Sequence, residues 1–225
     1  MVKLELSVPS SLESIELRQY QKYMGVIESN KDVENAEDFL NMKLVEIFCN
    51  ASLKDVSSIK LQDFGKITNI ISKAFAEKTP LIRHFKLGDT EFGFVPNLDK
   101  ISIGEYIDIE ANIVDWKTAH KAMAVLFRPI TKKRGEKYQI KEYEGSTTYS
   151  EALRYMPLNI AMGAMVFFYH LGKDLLNHTL KVLEENKKVN SIIQQELLLE
   201  KNGGGISQYL NSLEEMQQKL IRQLK

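Results

Sequence analysis

Between residues 83 and 96 the hydrophobic period of this chain changes, and that change limits the available folds more than any other feature. Upstream, apolar residues recur every three to four positions. Residues 83–87 (RHFKL) and 91–95 (EFGFV) are instead short runs of aromatic and β-branched character. A helix face repeats at 3.6 residues and a strand face at 2, so one pattern cannot serve both. Gly88 and Asp89 separate the runs, and glycine supplies the positive φ of a tight turn. The expected class is mainly α: an α+β chain with a small β-hairpin near 83–96, otherwise an irregular helical bundle with a C-terminal helical arm.

The helices follow from spacing and caps. Residues 3–8 (KLELSV) alternate and suit a short strand. Ser10 and Glu13 have capping-box spacing ahead of Leu17, Tyr20, Met24 and Ile27. A polar loop at 30–35 precedes a helix facing inward with Ala36, Leu40, Leu44, Ile47 and Phe48. A third helix, 61–77, aligns Phe64, Ile67, Ile71, Ala74 and Phe75 before Thr79 and Pro80 stop it. Ser102 and Glu105 cap a short helix through Tyr106 and Ile107. Asp115 is the expected N-cap of a helix from Trp116 to Phe127, with Trp116, Met123 and Phe127 in the core and Arg128-Pro129 as its stop. Residues 131–149 read as a surface loop with a brief strand at 138–143. Helix resumes near Ser150, Pro157 opens a new first turn, and Gly163 and Ala164 permit close packing.

These spans place a helical core domain at 1–188 and an amphipathic arm at 189–225. Asn202 and Gly203–Gly205 make a flexible linker at 202–205. Beyond it, Tyr209, Leu210, Leu213, Met216, Leu220 and Leu224 recur at coiled-coil spacing. So short a helix is marginal alone, and its stripe must fold back or dock on another chain. Those six residues are the candidate partner-binding positions.

Charge and composition narrow the function. Thirty basic and thirty acidic side chains give a formal net charge of zero. A phosphate binder ordinarily carries a basic excess, so no nucleic-acid partner is expected. The most apolar run, 157–171, is shorter than the roughly 20 residues a bilayer crossing needs. With no signal-peptide pattern and one cysteine, Cys49, in an apolar context, the expectation is a soluble cytoplasmic protein with a buried reduced thiol.

Candidate chemistry is sparse. His170, Asp174 and His178 fall at i, i+4 and i+8 and are metal-ligand types, but three ligands over two turns diverge from a single ion, so no metal site is expected. Glu105, Asp108 and Glu110 cluster near Tyr106, where split pKa values would allow acid/base work; capping already accounts for Glu105. Lys132, Lys133, Arg134 and Lys137, interleaved with Tyr138 and Tyr143, could hold a phosphate backbone or simply be solvated. No Walker, Rossmann or GxSxG spacing occurs. The methionines at 123, 156, 162 and 165 read as core filling, with Met216 a candidate contact. The expectation is a protein that is not an enzyme and takes no cofactor.

FGFVP at 92–96, GEYID at 104–108, Trp116 eight residues on and MAVLFRP at 123–129 together resemble a group of proteins encoded by tailed bacteriophages; a second stretch, 156–176, shares the likeness. Within that group the chain looks most like the tail assembly chaperones. The resemblance implies a helical protein that coats the tape-measure protein until tube subunits replace it. The alternative it leaves open is a structural component of the virion, in the neck, connector, baseplate or tail. Either way the implied partners are other phage proteins, the tape-measure protein or tail and neck components, with a homo-oligomer also open. The implied location is the host cytoplasm or the virion.

Overall fold

The computed structural model describes residues 6–185, with side chains as far as Leu171. The chain divides into two compact units, Met1–Gly163 and Ala164–Lys225. The expected boundary at 188/189, the glycine linker and all six candidate partner-binding residues lie outside the described residues.

Four helices open the first unit: α1 (Leu17–Ser29), α2 (Glu37–Phe48), α3 (Leu53–Ser57) and α4 (Leu61–Phe75). The cap expected at Ser10 is displaced. Ser11 precedes a 3-10 turn, Leu12–Ser14, and α1 starts only after Glu16, whose side chain forms a capping box with Gln19. Tertiary pairing explains the shift. Ile15 is fully buried, and Glu16 makes an isolated antiparallel bridge to Pro157. The Leu17 N–H donates to Met156 O at 2.9 Å, and the Leu158 N–H donates to Ile15 O at 2.8 Å. The backbone must stay extended there, so the helix waits.

The hairpin is present as β1 (His84–Leu87) and β2 (Thr90–Phe94), with Gly88 at φ 58°. It is half of a larger sheet. Two further strands, β3 (Phe127–Arg134) and β4 (Lys137–Ile140), complete an antiparallel sheet in the order β1-β2-β3-β4. The architecture is mixed α+β, and the expected helical bundle with one hairpin is corrected to that extent. The error has a local cause. The helix expected to run to Phe127 stops at Leu126, and Phe127 is already strand, so Arg128-Pro129 lies inside β3 rather than ending the helix, with Pro129 opposite Phe92 and the Lys141 N–H donating to Pro129 O at 2.8 Å. The polar tract after Pro129 has no apolar alternation to advertise a strand.

Between β2 and β3 lie α5 (Ile103–Ile113) and α6 (Ala119–Leu126). Thr118 is the N-cap of α6, and Asp115 forms the turn before it, accepting from the Lys117 N–H at 2.9 Å. After β4 come α7 (Ser150–Leu153) and α8 (Leu158–Glu185), which begins directly after Pro157 and runs on into the second unit. Residues 6–8 form no strand among the described residues.

Aromatic packing joins these pieces. Tyr23, Phe48, Phe75, Tyr20 and Trp116 form a continuous run with neighbouring centroids 4.6–5.7 Å apart, linking α1, α2 and α4 to the turn before α6. Phe85, Phe92, Phe94 and Phe127 do the same on the sheet. Trp116, Met123 and Phe127 are buried as expected, although only Met123 of the three lies in α6.

Polar groups inside this core are specific. The Gln21 side-chain amide donates to Trp116 O at 2.7 Å and lies 2.9 Å from His120 Nδ1. The carbonyl fixes which end of the amide is nitrogen, so Nδ1 accepts and the ring is neutral. Burial holds the His120 imidazole below its ordinary value; Arg154 and Lys121 push the same way and Glu151 opposes them. The unfolded histidine therefore protonates first, and this contribution to stability is complete above about pH 6.5 and lost as pH falls below it.

Two outcomes are expected. Thermal midpoints taken from about pH 7.5 to 5.5 should fall on the acid side, and His120→Gln should flatten that fall. Gly163 and Gly25 should respond oppositely to alanine. A Cβ at Gly163 would meet Pro80 O at 2.3 Å, whereas one at Gly25 meets nothing within 4 Å. Gly163→Ala should lose about 1–3 kcal/mol and Gly25→Ala should gain about 0.4–1 kcal/mol, both read by denaturant unfolding.

Candidate protein-binding site

Helix α5 is built with two opposed faces. Ser102 Oγ accepts from the Glu105 N–H at 3.2 Å, while Glu105 Oε2 accepts from the Ser102 N–H at 2.7 Å and from its hydroxyl at 2.8 Å. This is the capping box expected from the spacing. The same carboxylate turns its other oxygen to Arg128 on β3, with Nη2 to Oε1 at 2.6 Å and both side chains only 9% exposed. Ile109 and Ile113 follow Glu105 one and two turns on and are buried. These three residues set the inward face.

One turn along, Asp108 is held from the far side. The Tyr143 hydroxyl donates a short hydrogen bond to Asp108 Oδ2, and the Ser146 N–H donates to the same oxygen at 3.2 Å. The Tyr143 bond is the chief cause holding the Asp108 carboxyl below its usual range. Burial first, then the bond to Asp108, push the Tyr143 phenol up to about 12. The segment after β4 thus straps α5 at its second turn, while Arg128 anchors it at the first.

The outward face carries Ile103, Tyr106 and Ile107, exposed at 76%, 43% and 54%. Spaced i, i+3 and i+4, they form one patch rather than scattered apolar residues. Burying an isoleucine contributes about 1.5–3 kcal/mol, so covering this patch would stabilise a complex appreciably. Glu110 is exposed one turn beyond.

Of the acidic trio read from the sequence, Glu105 and Asp108 are thus committed to different partners and Glu110 faces solvent. The basic tract is the β3–β4 hairpin. Its tyrosines point to neighbouring chain rather than outward: the Tyr138 hydroxyl donates to Phe94 O at 2.8 Å, and Tyr143 is bound to Asp108. Cys49 is buried, and burial pushes its thiol up to about 11. His170 is exposed, and the side chains of Asp174 and His178 lie outside the described residues. Among the described residues no group of three metal-ligating side chains occurs, and no helix is long and apolar enough to cross a membrane.

The sequence reading had Glu105 as a cap but missed Arg128 as its partner, Tyr143 as a strap and Ile103 and Ile107 as a surface. Only the last had a local signal: α5 is apolar on both sides, too much for one core face.

The ion pair sets an expectation. Arg128→Met leaves a buried carboxylate unpaired and should lose about 3–5 kcal/mol of stability. Adding Glu105→Gln should restore part of that loss in urea unfolding, because the uncompensated charge is gone.

The chain was compared with protein-family models, curated proteins and solved structures, and none of the three comparisons found a match.

Proposed function

We propose that this protein acts in phage tail morphogenesis through protein–protein contacts, as a tail assembly chaperone for a tape-measure protein. One observation carries the reading: the apolar patch of Ile103, Tyr106 and Ile107 on a helix anchored at two turns by Glu105–Arg128 and Asp108–Tyr143. That helix contains GEYID, a block of the phage resemblance. A tape-measure protein presents long amphipathic helix, and an apolar stripe at helical spacing is what such a helix packs against. A fixed backbone lowers the entropy lost on docking.

The sequence adds a second candidate contact in Tyr209, Leu210, Leu213, Met216, Leu220 and Leu224. Two short apolar stripes on one chain suit a client that is engaged along its length and later released, since each alone binds weakly and together they gain by linkage. Neither stripe requires catalysis or a cofactor.

Quantitative mass spectrometry of purified virions beside infected-cell lysate tests the role. Abundance in lysate with absence from virions supports the chaperone. A fixed copy number in virions makes the protein a structural part of the neck, connector, baseplate or tail instead. The contact itself is tested by co-purification with the tape-measure protein. Ile103→Asp with Ile107→Asp should reduce capture at least tenfold while moving the thermal midpoint by no more than about 4 °C. Removal of 203–225 should weaken capture further. Full capture by the doubly substituted chain would overturn α5 as the docking face.

A further inference from the structure

The zero net charge conceals two stretches of equal and opposite sign. Residues 28–38 hold Glu28, Asp32, Glu34, Glu37 and Asp38 against Lys31 alone, a net of −4. Residues 131–141 hold Lys132, Lys133, Arg134, Lys137 and Lys141 against Glu136 alone, a net of +4. The first is the exposed turn from α1 into α2, with Asn35 at φ 59°; the second is the β3–β4 hairpin, exposed throughout 131–137. Among the described residues no ion pair joins the two.

The hairpin's charges are arranged rather than merely numerous. Lys132 pairs in register with Gln139, and Arg134 with Lys137, so Lys132, Arg134 and Lys137 share one face of the ribbon. Like charges directly across a ladder destabilise it. Lys133, on the other face, has Glu91 as its ion-pair partner, whereas Lys132, Arg134 and Lys137 have none among the described residues. An anionic partner from outside would relieve that repulsion. On the acidic side, Glu37 and Asp38 also suit the N-terminus of α2. Asp32 and Glu34 precede the helix and have no such account. Val33 and Phe39 stand among these carboxylates at 56% and 41% exposure, an apolar pair that a partner would cover.

We propose that the cationic face of the β3–β4 hairpin, Lys132, Arg134 and Lys137, docks on the acidic α1–α2 turn of a second copy of this chain. A second copy fits better than nucleic acid. The acidic stretch matches the hairpin in size of charge, a neutral chain is not repelled by its own kind, and Tyr138 and Tyr143 are turned away from the stacking positions a single strand would use. Two different surfaces meeting in this way make a head-to-tail contact, which propagates from copy to copy. The inference rests on charge placement and stands apart from the client-binding reading.

Sedimentation of the full chain at about 20 mM and about 500 mM salt tests it, the Debye length shrinking severalfold between them. Association should be present at low salt and at least tenfold weaker at high salt. Lys132→Glu with Arg134→Glu and Lys137→Glu should sediment as a monomer, as should Asp32→Lys with Glu34→Lys and Asp38→Lys. Mixing the two reversed proteins should restore association, because each then offers the surface the other needs. The neutral set Lys132→Gln, Arg134→Gln and Lys137→Gln should weaken association without new repulsion, and thermal midpoints confirm that each variant folds. A wild type that stays monomeric at low salt, association that survives either reversal, or mixing that restores nothing overturns the proposal. So does a monomeric wild type that retards labelled duplex DNA through the hairpin, which would assign the cations to nucleic acid.

Discussion

The contact between Glu105 and Arg128 ties the first turn of α5 directly to β3. One carboxylate closes the first turn of α5 through Ser102 and also reaches β3, 23 residues later. Both groups are nearly out of water, so the attraction is strong and the desolvation large; the geometry must be right for the pair to be tolerated at all. The capping bonds supply part of that geometry, because they orient the same carboxylate that Arg128 meets. With the pair made, the start of α5 is fixed to β3, one of the two inner strands, and Ile109 and Ile113 lie on its buried side.

The segment beyond β4 depends on this arrangement. Tyr143 lies with its ring centroid 6.0 Å from the Arg128 guanidinium and its hydroxyl on Asp108. Asp108 is one turn from Glu105, so both acids act as anchors on the same helix. FGFVP, GEYID and MAVLFRP, separate in sequence, therefore meet where β2, α5 and β3 come together. Gly93 pairs with Arg128 and Phe94 with Phe127 across β2 and β3. Glu105 pairs with Arg128, and Trp116 packs edge-on to Tyr20 at 4.6 Å. Gly93 has a packing reason to be glycine: a Cβ there would lie 2.6 Å from the Tyr138 ring. Helix α5 is thus held at two successive turns, and its outer face of Ile103, Tyr106 and Ile107 is left exposed.

Legibility varied with how local the cause was. The hairpin at Gly88, the capping box at Ser102 and the restart at Pro157 were readable because each is set within a few residues. The start of α1 was misplaced because the bridge from Glu16 to Pro157 competes with a cap that the spacing at Ser10 and Glu13 advertised. Strands β3 and β4 were mostly missed, since LysLysArg and GlyGluLys carry no period-2 apolar signal and gain strand structure only by pairing with β2 and each other. The acidic trio was found as a cluster, but its division between Arg128 and Tyr143 depends on partners 23 and 35 residues away.

What the sequence determined by itself was the set of local decisions: where period changes, where glycine or proline forces a turn, which helix faces are greasy, and a charge balance of zero. These follow from steric limits and side-chain spacing, which act over one or two turns of chain. The tertiary structure decided which of two apolar faces of α5 went inward, which carboxylate met which cation, and which polar tract became a strand. Those outcomes depend on burial and on hydrogen bonds between distant segments, and neither has a value until the segments are brought together.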